Sequence, residues 1–196
     1  MPNINPPFEA TGNIGEGDGT QQITNNHGYN RIEYHSVTLL LTFCGDNKTG
    51  HKQVSRIPQA YREASQQAKN ILFITVSVKL SAVYNVAMTA KEQAKAELPQ
   101  TSIEVLDSYT ATATEGFIAL AAARAAAAGK SLAEVIKAAE EMMEKASTVI
   151  LLDTMRHVYR SGRIPKVASQ AASILNIRPI LTISSGAVRF IGAVRN

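Results

Sequence analysis

The sequence predicts an α/β fold: a parallel-sheet lobe with helices on both faces, followed by part of a second α+β lobe. Three observations carry this. Strand-length apolar runs alternate with helix-length segments from residue 71 to about 152. Residues 71–76 (ILFITV) are apolar throughout, as in a strand covered on both faces. Near the end, Ser184-Ser185-Gly186 joins two β-rich runs, a hairpin signal that breaks the alternation.

Each element follows from local chemistry. Residues 1–30 carry Pro2, Pro6, Pro7, Gly12, Gly15, Gly17, Gly19 and Gly28, with too little apolar surface to offset backbone entropy. This segment is expected to be disordered or irregular. Gly15-Glu16-Gly17-Asp18-Gly19 within it is not a phosphate loop, since no strand precedes it and two acids sit inside it. Residues 37–43 (VTLLLTF) read as a strand closed by Gly45-Asp46-Asn47, and 58–69 as a helix. After the 71–76 strand, a helix over 80–98 ends at Pro99, and 103–106 is a second strand of the regular repeat. Residues 112–128 form an Ala-rich helix stopped by Gly129, and Ser131-Leu132-Ala133-Glu134 is a capping box opening a helix to about Lys145. Residues 148–152 are expected as a third parallel strand. Asp153 caps a short helix ended by Gly162, Pro165 starts another reaching Leu175, and 178–183 with 187–194 form the hairpin. The expected organisation is an irregular segment at 1–30, a parallel-sheet lobe at 31–152 and an incomplete second lobe at 153–196.

Composition narrows the function. With 20 Lys and Arg against 16 Asp and Glu, the net charge of +4 falls short of a nucleic-acid binder's concentrated charge. A single cysteine, Cys44, excludes an internal disulfide and a Cys-rich zinc site, and fits a reducing compartment. The longest apolar stretch, 117–128, is broken by Arg124 and is shorter than the roughly 20 residues that span a bilayer. No basic segment followed by an apolar one opens the chain, so the expected location is the cytoplasm.

In a parallel sheet, ligands bind beyond the carboxyl ends of the strands. Those positions hold Ser77 and Ser81, then Asp107 and Ser108, then Asp153 and Thr154. In Ser77-Val78-Lys79-Leu80-Ser81, two hydroxyls meet a helix N-terminus, whose unpaired N–H groups and partial positive charge suit a carboxylate or phosphate. The plainer alternative is that either serine simply caps the helix. His27, His35, His51 and His157 share no metal-ligand spacing, and Cys44 has no partner marking a nucleophile. There is no Gly-x-Ser-x-Gly and no Walker sequence. A hydrolase using Asp107 and Ser108 would lack a base beside the serine. Arg156, Arg160 and Arg163, with Lys166, suit either an anionic partner or a solvated face. No catalytic, metal or cofactor site is expected.

From residue 71 onward the chain resembles the DegV family of bacterial fatty-acid-binding proteins, which includes the binding subunit of fatty acid kinase. Ser77-Val78-Lys79-Leu80-Ser81-Ala82-Val83-Tyr84 resembles the family's Ser-Ser-x-Leu-Ser-Gly-Thr-Tyr, and Val105-Leu106-Asp107-Ser108 its Val-x-Asp-Ser. Gly129 to Glu134 matches the link between its two long helices. Asp153-Thr154 with Ser161-Gly162-Arg163-Ile164 is similar to Asp-Thr-Leu…Gly-Gly-Arg-Ile, and residues 175–181 to Leu-x-Ile-Lys-Pro-Ile-Leu. The resemblance implies two lobes holding one long-chain fatty acid, which a separate fatty acid kinase subunit phosphorylates, so the chain itself would not be an enzyme. It assigns the carboxylate to Ser81, with Ser77 second. It places Arg163 near the head group and Arg195 toward the partner, with Asp107, Ser108, Asp153 and Thr154 as strand-end contacts. Ala82 and Val83 replace the family's Gly and Thr, and Gln53 to Pro58 departs from its Thr-Ser-Gln-Pro-Ser. Its opening Val-Thr-Asp-Ser and later Thr-His-x-Gly elements have no counterpart. The implied member is divergent at its N-terminus and shortened at its C-terminus. The alternative is a fragment without lipid binding that acts only by interaction or self-association.

Overall fold

A computed structural model describes residues 23–26, 29–33, 37–42, 56–153, 163 and 177–195. Five strands form the first sheet, in the order β1 (Ile23–Asn26), β2 (Tyr29–Glu33), β3 (Val37–Thr42), β4 (Asn70–Thr75) and β5 (Ser102–Asp107). β1, β2 and β3 are antiparallel neighbours, whereas β3, β4 and β5 are parallel. The first two strands overlap the segment expected to be irregular. ITNN and YNRIE are polar and lack clear alternation, so their pairing follows from the adjacent apolar β3 rather than from their own pattern.

The parallel strands are joined through helices α1 (Ile57–Ser65) and α2 (Val83–Glu97). Successive right-handed crossovers in one direction put both helices on the same face. There Ile57, Tyr61 and Ala64 of α1 and Ala87, Ala90 and Ala94 of α2 pack against Leu40, Ile71, Phe73 and Ile103. Tyr61 is fully buried, meets Phe73 edge-on at 6.0 Å and donates its hydroxyl proton to Ala87 O (3.2 Å). The opposite face is covered by α3 (Thr112–Ala127) and α4 (Leu132–Lys145). Val37, Leu39, Leu72 and Ile74 meet Ile118, Ala119, Ala122 and Ala126 there, backed by Val135 and Ala139. The alternation along β4 is why ILFITV reads as continuously apolar: both of its faces are interior.

The alanines of α3 are therefore packing residues that let α4 approach closely. Gly129 (φ +72°) ends α3 in a Schellman arrangement, with Gly129 N–H donating to Ala126 O and Lys130 N–H to Ala125 O. The Ser131–Glu134 capping box then opens α4 as expected.

A second sheet contains β6 (Thr148–Leu151), β7 (Ile177–Ser184) and β8 (Ala187–Arg195), all antiparallel. This corrects the expectation for 148–152. The segment is a strand, but it pairs with β7 and not with the parallel sheet. Val149 (68% exposed) and Leu151 (53%) show that it lacks the two-sided cover of a central parallel strand. The expected helices between Asp153 and Leu175 lie outside the described residues, as do Thr154, Cys44 and all four histidines.

Candidate functional site

The carboxyl ends of β4 and β5 run into two short turns that brace each other. Ser77 N–H donates to Thr110 O (2.8 Å), while Ser77 O accepts from Leu80 N (2.8 Å) and Ser81 N (3.0 Å). Buried Asp107 accepts from Tyr109 N–H (2.9 Å) and from Val78 N–H (3.3 Å to Oδ2). The hydroxyl of buried Ser108 exchanges 3.3 Å bonds with the Thr110 backbone. Asp107 and Ser108 thus hold the turns together, and among the described residues the Ser108 hydroxyl bonds to backbone groups rather than to a base.

The two serines singled out by sequence differ sharply. Ser77 is fully buried, and its hydroxyl donates to Gly186 O at the tip of the β7–β8 hairpin (2.7 Å) while accepting from Lys79 N–H (3.2 Å). Lys79 Nζ donates to the adjacent Ser185 O (2.8 Å). Ser81 is half-buried, and its oxygen accepts from Val83 N–H (3.3 Å). Among the described residues, its own proton has no acceptor. The N-cap of α2 is Ala82, which supplies no side-chain bond, so this helix end keeps donors for an anion. Arg163, exposed, donates from Nε to Leu80 O (3.3 Å) and so reaches the same turn.

The structure therefore brings Ser77, Ser81, Asp107, Ser108 and Arg163 together. Asp153 stands apart, exposed and paired with Arg178 (2.7 Å). Arg195 pairs with Ile177 at the end of the hairpin away from Gly186, roughly 25 Å from the tip at the usual rise per strand residue.

Beside these turns lies a cleft of about 580 Å³, within the usual range for small-molecule sites. Ile118, Met143, Ala146 and Ile183 give it apolar walls. The hydroxyls of Ser108, Thr110, Thr114 and Thr182 and two carboxylates, Glu140 and Glu144, are among its polar lining. Thr148 organises that side: its hydroxyl meets those of Thr110 (3.2 Å) and Thr114, and its carbonyl accepts from Thr182 Oγ1 (2.6 Å). Sequence reasoning missed these threonines. Thr110 lies in the turn just after β5 and carried a readable signal, whereas Thr114 sits in the first turn of α3 and Thr148 and Thr182 meet only across the second sheet. Among the described residues, no group of three His, Cys, Asp or Glu is placed to hold a metal, and no helix is long and apolar enough to cross a membrane.

Residues 30–196 match the model described as "Uncharacterised protein, DegV family". A DegV domain-containing protein of Clostridium acetobutylicum is 31% identical over 151 residues, covering 77% of this chain and 53% of that protein. One from Streptococcus pyogenes serotype M1 is 28% identical over 156 residues, covering 80% and 54%. The chain spans about half the length of these curated relatives. Among solved structures, a DegV family protein from Eubacterium eligens loaded with heptadecanoic acid has a TM-score of 0.64 at 26% identity, covering 79% of this chain and 61% of that one. A Thermus thermophilus structure described as fatty acid binding by a DegV family protein gives 0.64 at 26%, covering 73% and 49%. The Streptococcus pneumoniae fatty acid kinase B3 protein, loaded with linoleic acid, shares the fold, with a TM-score of 0.64 at 24% identity, covering 83% and 54%.

Proposed function

The chain belongs to the DegV family, and from that premise we propose that it binds a long-chain fatty acid. The carboxylate sits at the turn after β4, and the tail runs into the adjoining cleft. The observation that carries this reading is the juxtaposition at one turn of a hydroxyl with a proton to give (Ser81), a helix end without a side-chain cap and an arginine (Arg163), in a turn tied through Ser77 and Lys79 to the hairpin tip that lines the cleft. The fatty acids of the Eubacterium and Thermus relatives support it. A buried carboxylate left without donors would lose several kcal/mol, so a lipid acid needs such a turn at one end of its channel.

In this reading the chain binds and presents the acyl group, and a fatty acid kinase subunit performs the chemistry. Arg163 flanks the head group, and Arg195, at the far end of the hairpin, faces the partner. Asp107 and Ser108 shape the turn from beneath. Ser77 was the second carboxylate candidate, but its proton is already committed to Gly186 O, so Ser81 takes the leading role.

Solvent extraction of the purified protein followed by mass spectrometry tests the reading, with exchange against added C14–C18 acid as a second arm. Retention or uptake of about one acid per chain is expected. A protein that neither retains nor takes up any long-chain acid refutes it.

A further inference from the structure

The tip of the β7–β8 hairpin belongs to two places at once. Ser184 and Ser185 line the cleft, while Gly186 and Ser185 present their carbonyls to the turn after β4. The tip is a tight two-residue turn with positive φ at both Ser185 (+50°) and Gly186 (+78°), the conformation that suits a twisted hairpin. A Cβ on Gly186 would lie 2.5 Å from Ser77 Oγ, so the missing side chain is what lets the tip settle on Ser77. Of the two bonds that tie the tip to the turn after β4 among the described residues, that from Lys79 starts at an exposed residue and competes with water, whereas that from Ser77 is buried.

We propose that Ser77 is a positioning residue. Its hydroxyl latches the hairpin tip down as a wall of the cleft, and this bond sets how often the tip lifts to admit or release the ligand. The inference rests on the lipid-binding reading for its ligand, but the latch itself does not. A serine has one proton. While Gly186 O holds it, Ser77 acts on the ligand through the hairpin and not by touching the carboxylate.

A latch has a kinetic signature that a head-group contact lacks. If opening precedes both entry and exit, Ser77→Ala accelerates association and dissociation by the same factor and leaves Kd nearly unchanged. Loss of one hydrogen bond sets that factor at about 2- to 13-fold. Stopped-flow kinetics with a fatty acid and with the fatty alcohol of equal length read it, and both ligands should respond alike. Hydrogen exchange of the 182–189 peptide in the unliganded protein should rise by a similar factor. Ser77→Cys keeps the shape but offers only a weak S–H donor, so it attacks the same contact without straining the tip and should reproduce both effects, and either variant decides the matter should the other fail to fold. Faster dissociation of the acid alone, with the alcohol unaffected, overturns the proposal and makes Ser77 a head-group ligand. Unchanged exchange at the tip overturns it as well. Should the unaltered protein bind no lipid, the lipid-binding reading falls, while the exchange measurement still decides the latch.

Discussion

Replacing Ser81 with alanine tests the proposed head-group interaction separately from the fold. The Ser81 oxygen accepts one long bond, 3.3 Å from Val83 N–H, and the N-cap of α2 is the neighbouring Ala82. Truncation therefore removes little from the free protein, and stability should change by no more than about 0.5 kcal/mol. Toward a carboxylate the loss is larger, because a hydrogen bond to a charged acceptor contributes about 1–3 kcal/mol. That corresponds to a Kd raised by about 5- to 150-fold. Displacement of a fluorescent fatty acid, alongside a thermal melt, measures both quantities. The fatty alcohol of the same length is the control, since a neutral head forms at most an ordinary hydrogen bond and its affinity should fall by less than the acid's. Acid affinity that survives Ser81→Ala unaltered would mean the carboxylate is held elsewhere.

Three further outcomes concern the scaffold. Gly129→Ala should cost about 1–2 kcal/mol in chemical denaturation, because φ is +72° there while the new Cβ meets nothing within 4 Å; Gly129→Asn should cost less. Ala122→Leu, at a fully buried position of α3, should destabilise by about 1–3 kcal/mol even though leucine is a good helix former. The Ser131 hydroxyl first, then its backbone N–H and, weakly, Lys130, hold the Glu134 carboxyl below the usual carboxylate range. With the folded value below the unfolded one, this contribution is present above the ordinary glutamate pKa of about 4.3 and is lost as pH falls through the lower folded value. Ser131→Ala should lower the melting temperature at neutral pH, and the gap to the unaltered protein should narrow in acid; a gap that stays constant would count against the capping box as its source.

The parallel core was legible because its signals are local. ILFITV is apolar on both faces, Gly129 sits where a left-handed residue must, and Ser131 and Glu134 have capping-box spacing. Partner choice was not legible in the same way. Residues 148–151 have strand composition whichever sheet they join, and only their contact with residues 180–183 decides it. The site divides likewise. The hydroxyls at the strand ends could be listed from sequence, but whether each has a proton left to donate could not. By local pattern Ser77 and Ser81 are both hydroxyls at a strand end, and only the family resemblance ranked Ser81 first. A carbonyl 109 residues away in the chain separates their roles, and nothing in the local pattern announces that contact.

The balance of binding energies makes the position of the hairpin tip matter. Each methylene removed from water contributes about 0.8 kcal/mol, whereas association opposes binding by about 4–15 kcal/mol. Burying about ten methylenes, for roughly 8 kcal/mol, only offsets that opposing term, so in the proposed binding mode affinity would depend on how much of the tail the cleft covers with the tip closed. Lengthening the acid from C8 toward C18 should tighten binding by about fourfold per methylene while the added carbons remain inside, then level off where the tail emerges. The breakpoint measures the covered length. In Ser77→Ala it should stay in place, because a latch alters how often the cleft opens and not how deep it is. A flat series would show that the tail lies outside the Ile118–Met143–Ile183 wall, and the cleft would then lose its claim to the lipid.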